Sequence, residues 1–168
     1  MSKLMRTKCS FLIKIINSCL CETHFFKLKN NLLKHAGIKC GLNTKVVGPL
    51  YLGNVAQVVF GNNDWIGTRF SVYGNGKVVV EDNVDIAPEV SIITGSHEIA
   101  FDEQHRAGDG ISYHVTIKEG CWIGPRTTIM GNTEIGKGSV VAASALVNKS
   151  VESNILCGGV PAKTIRQI

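Results

Sequence analysis

One histidine stands where a polar insertion interrupts a regular pattern of aliphatic residues. His97 ends the stretch Thr94-Gly95-Ser96-His97 and directly precedes residues 98–114, which are polar, contain glycine and lack the pattern. A neutral imidazole can take a proton from a hydroxyl group at neutral pH. Loops that are carried by a rigid scaffold often hold such groups. The sequence therefore makes His97 a candidate general base, provided that the rest of the chain holds it in place.

A six-residue period from Ile117 to Val147 predicts that scaffold. The first place of each hexad is Ile or Val, and the fifth place is small or β-branched. The first-place residues are Ile117, Ile123, Ile129, Ile135, Val141 and Val147, and the fifth-place residues are Cys121, Thr127, Thr133, Ser139, Ala145 and Val151. A period of six fits neither an α-helix nor a simple hairpin. It fits a solenoid of short parallel strands in which one aliphatic side chain per hexad points inward.

The period continues towards the N-terminus with two shifts of register. The three runs are Val46, Leu52 and Val58, then Phe60, Ile66, Val72 and Val78, then Val80, Ile86 and Ile92. We expect strand edges at residues 58–60 and 78–80, where a coil carries a bulge or a corner insertion. Residues 98–114 are expected to form an excursion loop on one face, and residues 151–168 to cap the end of the solenoid.

The N-terminal region has apolar residues at helical spacing from residue 9 to about 36, and Gly37 is a plausible helix stop. We therefore expect a helical segment over residues 1–40 and a β-helix domain over residues 41–168. Two placements of the helices remain open. They could pack against the first coil of the solenoid, or a basic amphipathic helix could lie on the inner membrane as a peripheral contact.

Composition excludes several classes of protein. The net charge is +5, with no run of like charges and no basic stripe with interleaved aromatic residues, so nucleic-acid binding is not expected. No segment is long enough to span a bilayer. The stretch 11–16 is interrupted by Lys14, and no A-x-A-like cleavage site follows, so we expect no signal peptide. The six cysteines form no C-x-x-C pair, which is typical of a cytoplasmic protein with free thiols.

Two further chemistries are not expected. His97, His105 and His114 lie around the polar insertion, but their spacing fits no metal motif. The chain also has no glycine-rich phosphate loop, so nucleotide hydrolysis is not indicated. Cys121 lies in the coil pattern and Cys157 in the C-terminal turn, so neither is a well-placed nucleophile.

The hexads, the Gly95-Ser96-His97 stretch and the closing stretch 158–163 (Gly-Gly-Val-Pro-Ala-Lys) together resemble the hexapeptide-repeat acyltransferases. The resemblance runs from about Val46 to the C-terminus. It is strongest to the branch of maltose, galactoside and xenobiotic O-acetyltransferases and of the acetyltransferases from surface-polysaccharide gene clusters. It implies an all-β fold, a left-handed parallel β-helix of triangular section with three hexads per coil, which works as a homotrimer with acetyl-CoA as co-substrate.

The same resemblance implies roles around His97, which matches the family's catalytic histidine. The second ring nitrogen needs a partner, either a backbone carbonyl or one of the acids Glu98, Asp102 and Glu103, and of the acids we favour Glu103. The family's oxyanion-donating asparagine aligns near Tyr73. Asn75, two residues on, is our candidate for the donor, although Gly74-Asn75-Gly76 is equally typical of a turn.

The resemblance also places the coenzyme in a groove between neighbouring subunits. Trp122 and Gly124 would flank its thioester end, and residues Ala142, Ala143 and Ser144 would border its pantetheine arm. The cations expected to meet its phosphates are Lys149, Lys163 and Arg166.

The function that the resemblance implies is an acetyl-CoA-dependent O-acetyltransferase of a sugar or glycan acceptor. The expected setting is surface-polysaccharide (O-antigen, capsule or exopolysaccharide) biosynthesis, with direct transfer and His97 as general base. Three alternatives share the solenoid: an N-acetyltransferase of an amino sugar, a serine acetyltransferase-like enzyme, and a non-catalytic hexapeptide scaffold. A γ-carbonic-anhydrase-like zinc protein would need several histidines in a pattern across coils that this chain lacks.

Overall fold

A computed structural model describes residues 3–53, 57–101 and 104–168. In this part of the chain two helices, α1 (Lys3–Cys19) and α2 (Phe26–His35), precede a series of short strands. The strands are β1 (Lys39–Cys40), β2 (Lys45–Val46), β3 (Gln57–Phe60), β4 (Trp65–Ile66), β5 (Ser71–Tyr73), β6 (Lys77–Val80), β7 (Asp85–Ile86), β8 (Ser91–Ile93), β9 (Gly95–Ile99), β10 (Ala107–Ser112), β11 (His114–Ile117), β12 (Trp122–Ile123), β13 (Thr128–Met130), β14 (Thr133–Ile135), β15 (Val140–Val141), β16 (Leu146–Val147), β17 (Ile155–Gly158) and β18 (Lys163–Gln167).

Three sheets form the sides of a parallel β-helix with a triangular section. Face A contains β1, β3, β6, β11 and β14, and face C contains β5, β8, β13 and β16. Face B contains β2, β4, β7, β12, β15 and β17, and β18 extends it as an antiparallel strand. The chain passes from face A to B to C in each coil. We name the three edges the AB, BC and CA corners after the faces they join.

Equivalent aliphatic side chains stack in a column behind each face. On face B, Val46 pairs with Ile66, Ile66 with Ile86, Ile86 with Ile123, and Ile123 with Val141. All five side chains are buried, as are the first-place residues of faces A and C. Full burial of such a side chain contributes about 1.5–3 kcal/mol relative to leaving it exposed. The predicted solenoid, with one inward aliphatic residue per hexad, is confirmed.

The two register shifts that the sequence predicts correspond to coils that contain added residues. Val58 and Phe60 both point inward from β3, and Val78 and Val80 both point inward from β6. The added chain lies at the CA corner, where residues 74–76 separate β5 from β6 but only residues 131–132 separate β13 from β14. This corner is therefore the place where the solenoid accepts added chain.

The third coil expands the CA corner into an antiparallel hairpin made of β9 and β10. The hairpin occupies residues 95–112, so it begins earlier than the predicted loop at 98–114, and the coil resumes with β11. His97 consequently lies within a hairpin strand and not in the last hexad before the insertion. The division of the chain into segments 1–40 and 41–168 remains a prediction.

Both helices pack on the first coil, which was one of the two open placements. Ile16 and Leu33 are fully buried against it. The side chain of Asn17 donates to the Leu50 carbonyl (2.8 Å) and accepts from the Leu50 amide (2.9 Å). The predicted helix stop is confirmed at Gly37, which has φ of 90° and follows Ala36, the C-cap of α2. In the described chain, we find no helix with the length and apolar character needed to cross a membrane.

The AB corner contains a buried carboxyl group. Asp64 occupies a fifth-place position, which Thr44, Cys121 and Ser139 fill in other coils, and it is 1% exposed. Its Oδ1 accepts a hydrogen bond from the Val84 amide (3.0 Å), while its Oδ2 has no hydrogen-bond partner among the described residues. Burial raises the pKa of Asp64 from 3.8 to about 7.

This carboxyl group predicts a pH-dependent stability. Because the folded state binds the Asp64 proton more tightly than the unfolded state does, the free energy of unfolding falls as pH rises from about 4 to about 7. In the wild type, the free energy of unfolding should fall by on the order of 2 kcal/mol between pH 5 and pH 8, since one pKa unit corresponds to 1.36 kcal/mol. We expect this fall to be absent in Asp64→Asn. Urea unfolding at one protein concentration measures this. Asp109→Asn, at an exposed position on β10, is the control, and an unchanged pH slope in Asp64→Asn would contradict the assignment.

Candidate active site

The base of the hairpin is fixed by a buried threonine. Thr94 is fully buried, and its hydroxyl donates to the Tyr73 carbonyl (3.0 Å) while accepting from the Gly76 amide (3.1 Å). The Thr94 amide also donates to the Tyr73 carbonyl (2.6 Å). Thr94 thereby joins the first hairpin strand to the CA corner of the preceding coil, and the hairpin starts from a defined position.

Glycine at the CA corner allows the backbones to approach closely. Gly74 has φ of +103°, and a Cβ placed on it would collide with the backbone nitrogen of Gly95. At the other end of the hairpin, the ring of Tyr113 packs over Gly131, where a Cβ would collide with it. Both ends of the hairpin therefore rest on glycines of neighbouring coils.

His97 lies on β9, exposed and directly opposite Gly110 of β10. Its Nδ1 is 2.8 Å from the carbonyl oxygen of Gly108. A carbonyl can only accept, so Nδ1 carries the hydrogen in this contact, and Nε2 of the neutral ring is left without one. The imidazole is therefore oriented by the backbone of the opposite strand, with Nε2 able to accept a proton.

The sequence left the partner of the His97 ring open. A backbone carbonyl was one option, and the carbonyl of Gly108 is the contact seen. The acid we favoured, Glu103, and its neighbour Asp102 lie outside the described residues, so the role of Glu103 stays a prediction. The sequence could not single out Gly108, because the pairing of β9 with β10 shifts register between Ala107 and Gly110.

Asn75, the candidate oxyanion donor, is exposed in the turn between β5 and β6. This turn belongs to the CA corner, the same corner from which the hairpin rises one coil later. The turn predicted for Gly74-Asn75-Gly76 is confirmed. The donor role of Asn75 stays a prediction.

Most residues predicted to border the coenzyme lie together on neighbouring coils. Trp122 is 56% exposed and points outward from face B. Gly124 is buried beneath the next coil, where a Cβ would come within 2.6 Å of the Ala143 nitrogen. Ala143 and Ser144 are exposed at the BC corner directly above, and Ala142 is half-buried. The fit of Gly124 under Ala143 explains why this position needs glycine.

The predicted phosphate-binding cations lie nearer the C-terminal end. Lys149 and Lys163 both line a cavity of about 220 Å³ between the last coil and the C-terminal segment. Arg166 is exposed on β18, opposite Leu156 of β17. Two of the three cations are therefore brought to one cavity, and the third lies on the added strand.

His97 and Trp122 lie on opposite sides of the triangular section. The hairpin grows from the CA corner, and the edge between faces C and A is opposite face B, which carries Trp122. One chain therefore does not assemble the two predicted parts of the site.

Two buried cysteines are poor nucleophiles. Burial raises the pKa of the Cys121 and Cys157 thiols, so both resist ionisation. Across the described ranges no three His, Cys, Asp or Glu side chains are grouped so as to hold a metal ion.

Known proteins share this architecture. The model of the bacterial transferase hexapeptide family (six repeats) matches residues 114–149. Galactoside O-acetyltransferase of Escherichia coli K12 is 29% identical over 83% of this chain and 68% of its own. YJL218W of Saccharomyces cerevisiae, whose name assigns it to the acetyltransferases, is 32% identical over 83% of this chain and 71% of its own.

The chain belongs to the hexapeptide-repeat acetyltransferases. WcaF of Escherichia coli K12, named for colanic acid biosynthesis, is 29% identical over 81% of this chain and 72% of its own. A hexapeptide-repeat acetyltransferase of Vibrio cholerae, solved with acetyl coenzyme A, superposes with a TM-score of 0.84 at 26% identity, over 98% of this chain and 87% of that one. The predicted left-handed β-helix class is thereby confirmed.

The glycine contacts at the hairpin base predict a contrast between two alanine variants of this acetyltransferase. Gly74→Ala forces a strained φ and a backbone collision, so we expect the hairpin to shift, the Tm to fall by about 5 °C or more and acetyl transfer to fall at least tenfold. Gly110→Ala is the control, because nothing lies within 4 Å of a Cβ there although Gly110 faces His97. Equal effects of the two variants would contradict the proposed support of the hairpin.

Proposed function

We propose that this protein transfers the acetyl group of acetyl-CoA to a sugar hydroxyl in surface-polysaccharide (O-antigen, capsule or exopolysaccharide) biosynthesis. The observation that carries the proposal is the contact of His97 Nδ1 with the Gly108 carbonyl, which leaves Nε2 free on an exposed hairpin. The acetyl-CoA complex of the Vibrio cholerae relative supports the donor, and the named roles of the galactoside and colanic acid relatives support the acceptor. All six cysteines are free thiols, which supports a reducing compartment such as the cytoplasm.

His97 Nε2 would take the proton from the acceptor hydroxyl as its oxygen attacks the thioester carbonyl. The resulting imidazolium would return that proton to the departing thiolate of coenzyme A, so the ring ends the cycle neutral. The Gly108 carbonyl would hold the ring in place throughout and stabilise its charged form. Asn75 would donate to the oxyanion of the tetrahedral intermediate. Because Cys121 and Cys157 resist ionisation, the proposed transfer is direct, without an acyl-enzyme.

The complete site would be formed between two copies of the chain. His97 lies at the CA corner and Trp122 on the opposite face, so one chain cannot present both to a single substrate. A closed ring of three copies would bring the hairpin of one chain against the coenzyme-binding side of its neighbour. In that arrangement Trp122 would flank the thioester end of the coenzyme, and Ala143 would border its pantetheine arm. Lys149 and Lys163, which share a cavity, would meet the phosphates.

An exposed aromatic pair supports a sugar as the acceptor. The rings of Tyr51 and Tyr73 lie with their centroids 5.1 Å apart on the outside of face C. They are 51% and 46% exposed, and the Tyr73 carbonyl is bonded to Thr94 at the hairpin base. Aromatic side chains with a polar tip suit a ligand that has both an apolar face and hydroxyl groups. The pair therefore offers a surface for a pyranose ring near the hairpin.

Thiol release from acetyl-CoA tests the reaction. We expect release to depend on a sugar or glycan acceptor, and His97→Ala to lower the acceptor-dependent rate by on the order of 10² or more, since a general base contributes about 10²–10⁴. His105→Ala is the control because His105 is exposed at the far end of the same hairpin.

The acceptor panel should include amino sugars and serine beside neutral sugars and glycan fragments. N-acetylation of an amino sugar or acetylation of serine would replace the proposed acceptor class. Acceptor-dependent release that survives in His97→Ala would contradict the general-base role.

Mixed oligomers test whether two chains share one site. His97→Ala removes the base, and Ala143→Trp blocks the coenzyme side at an exposed corner, so each variant alone should be inactive. When the two chains are co-assembled in equal amounts, random mixing in a trimer should restore about one quarter of the wild-type sites. Separately purified variants that are mixed without exchange serve as the control. Lack of recovery in verified mixed oligomers would place the whole site within one chain.

A further inference from the structure

Charge is distributed unevenly along the chain. The first 63 residues hold nine of the 18 Lys and Arg residues but only one of the 13 Asp and Glu residues, Glu22. The remaining residues hold nine basic and twelve acidic side chains, so they carry a small negative charge. The net charge of +5 therefore conceals a strongly basic N-terminal end.

These basic residues lie on the outside of one end of the solenoid, which we call the helical end (residues 6–45). They are exposed on α1, on α2 and on the first coil. The exposed cations are Arg6, Lys8, Lys14, Lys27, Lys34, Lys39 and Lys45. None of them is in an ion pair with another described residue. Lys29 differs from these cations, because it is buried and donates hydrogen bonds to the Glu22 and Val47 carbonyls.

Exposed apolar side chains lie among these cations. Phe11 is 63% exposed, Phe25 60%, Leu28 47% and Leu42 74%. Phe11 lines a shallow groove on α1 together with Arg6 and Lys14.

A second groove, between α2 and the first coil, has the same mixed character. It combines Phe25 and Leu42 with Lys27, Lys34 and Lys45. The helical end thus presents two grooves that each join apolar and cationic groups.

We propose that the helical end docks on the surface of an anionic lipid bilayer. Apolar side chains at this density would enter the headgroup boundary, while unpaired lysines meet lipid phosphates. A nucleic acid is a poorer match, because Leu28 and Leu42 cannot stack on a base and phosphate contacts leave exposed leucines uncovered. Binding is peripheral, because the inner sides of both helices pack on the solenoid and only their outer sides can meet the bilayer.

Docking on a bilayer would indicate the class of acceptor for the proposed reaction. This part of the inference rests on the proposed function. Three copies around an axis parallel to the solenoid would turn all three helical ends to the same side, so that they meet one plane together. The hairpin with His97 rises from the third coil, about 10 Å from the first coil at a strand spacing of about 4.8 Å. A glycan attached to a membrane lipid would then reach His97 more readily than a free sugar in solution.

Vesicle co-sedimentation tests the docking without any acetylation. We expect the wild-type protein to bind phosphatidylcholine vesicles with 30% phosphatidylglycerol at least tenfold more strongly than pure phosphatidylcholine vesicles at 0.1 M NaCl. Lys27→Glu combined with Lys34→Glu should lower that binding at least fivefold. The control, Lys149→Glu combined with Lys163→Glu, changes the net charge equally at exposed lysines near the opposite end of the solenoid and should bind the vesicles like the wild type. Leu42→Ser should lower the binding that remains at 0.5 M NaCl, since it removes an apolar contact that salt does not screen.

Three results would overturn the proposal. One is equal binding to the two kinds of vesicle, and another is equal loss in the two double variants. The third is binding to a short nucleic-acid duplex in preference to anionic vesicles, which would assign the basic end to a different partner. Acetyl transfer to a free sugar should be unchanged in the Lys27 and Lys34 double variant. Vesicle binding therefore reports on the docking and transfer to a free sugar on the proposed reaction, so the failure of one can be distinguished from the failure of the other.

Discussion

The stacking of equivalent side chains in successive coils is the constraint on which the rest of the structure depends. Parallel strands lie about 4.8 Å apart, so Ile66, Ile86 and Ile123 on face B touch directly and exclude water along the whole column. A residue added within a face would turn every later side chain outward. Added chain is therefore confined to the corners, and the 74–76 turn and the 95–112 hairpin both arise at the CA corner.

That confinement gives the candidate base its position. The hairpin leaves a rigid coil through buried Thr94 and returns to it at Tyr113, and both points rest on glycines of adjacent coils. The ring of His97 is then held by a backbone carbonyl, whose place is set by the pairing of two strands and not by the rotamer of another side chain. A base that must present one nitrogen to a substrate benefits from such support, since the losses from small misplacements are large.

The sequence predicted what the period controls and missed what depends on pairing across the chain. The inward aliphatic residues and the longer coils at 58–60 and 78–80 follow from side-chain patterns, because burial acts locally on each hexad. The helices were predicted from their spacing, but their placement stayed open until the structure showed them on the first coil. The Gly108 carbonyl lies across an irregular strand pairing that no spacing reveals. Asp64 was not singled out either, since its place in a hexad normally holds a small side chain and only the structure shows the carboxyl buried. The separation of His97 from Trp122 is a property of the triangular section, which the order of hexads alone does not express.

The two ends of the solenoid are covered in different ways, by helices at the N-terminal end and by a strand at the C-terminal end. An open coil leaves backbone groups without partners. Here Asn17 bonds both groups of Leu50, and Lys29 and Asn30 donate to the Val47 and Thr44 carbonyls (2.8 and 2.6 Å). These contacts use only the inner sides of α1 and α2.

The outer sides of the two helices are under no packing requirement, so capping does not explain why they combine lysines with exposed phenylalanine and leucine. At the other end, β18 covers β17 by antiparallel pairing with a register shift between Leu156 and Cys157. The C-terminal segment also carries exposed Ile165 and Ile168 beside Lys163 and Arg166, but there the cations belong to the proposed coenzyme side. The composition of the outer helical surface therefore reflects something outside the chain that it must meet, and an anionic bilayer fits both its charge and its apolar area.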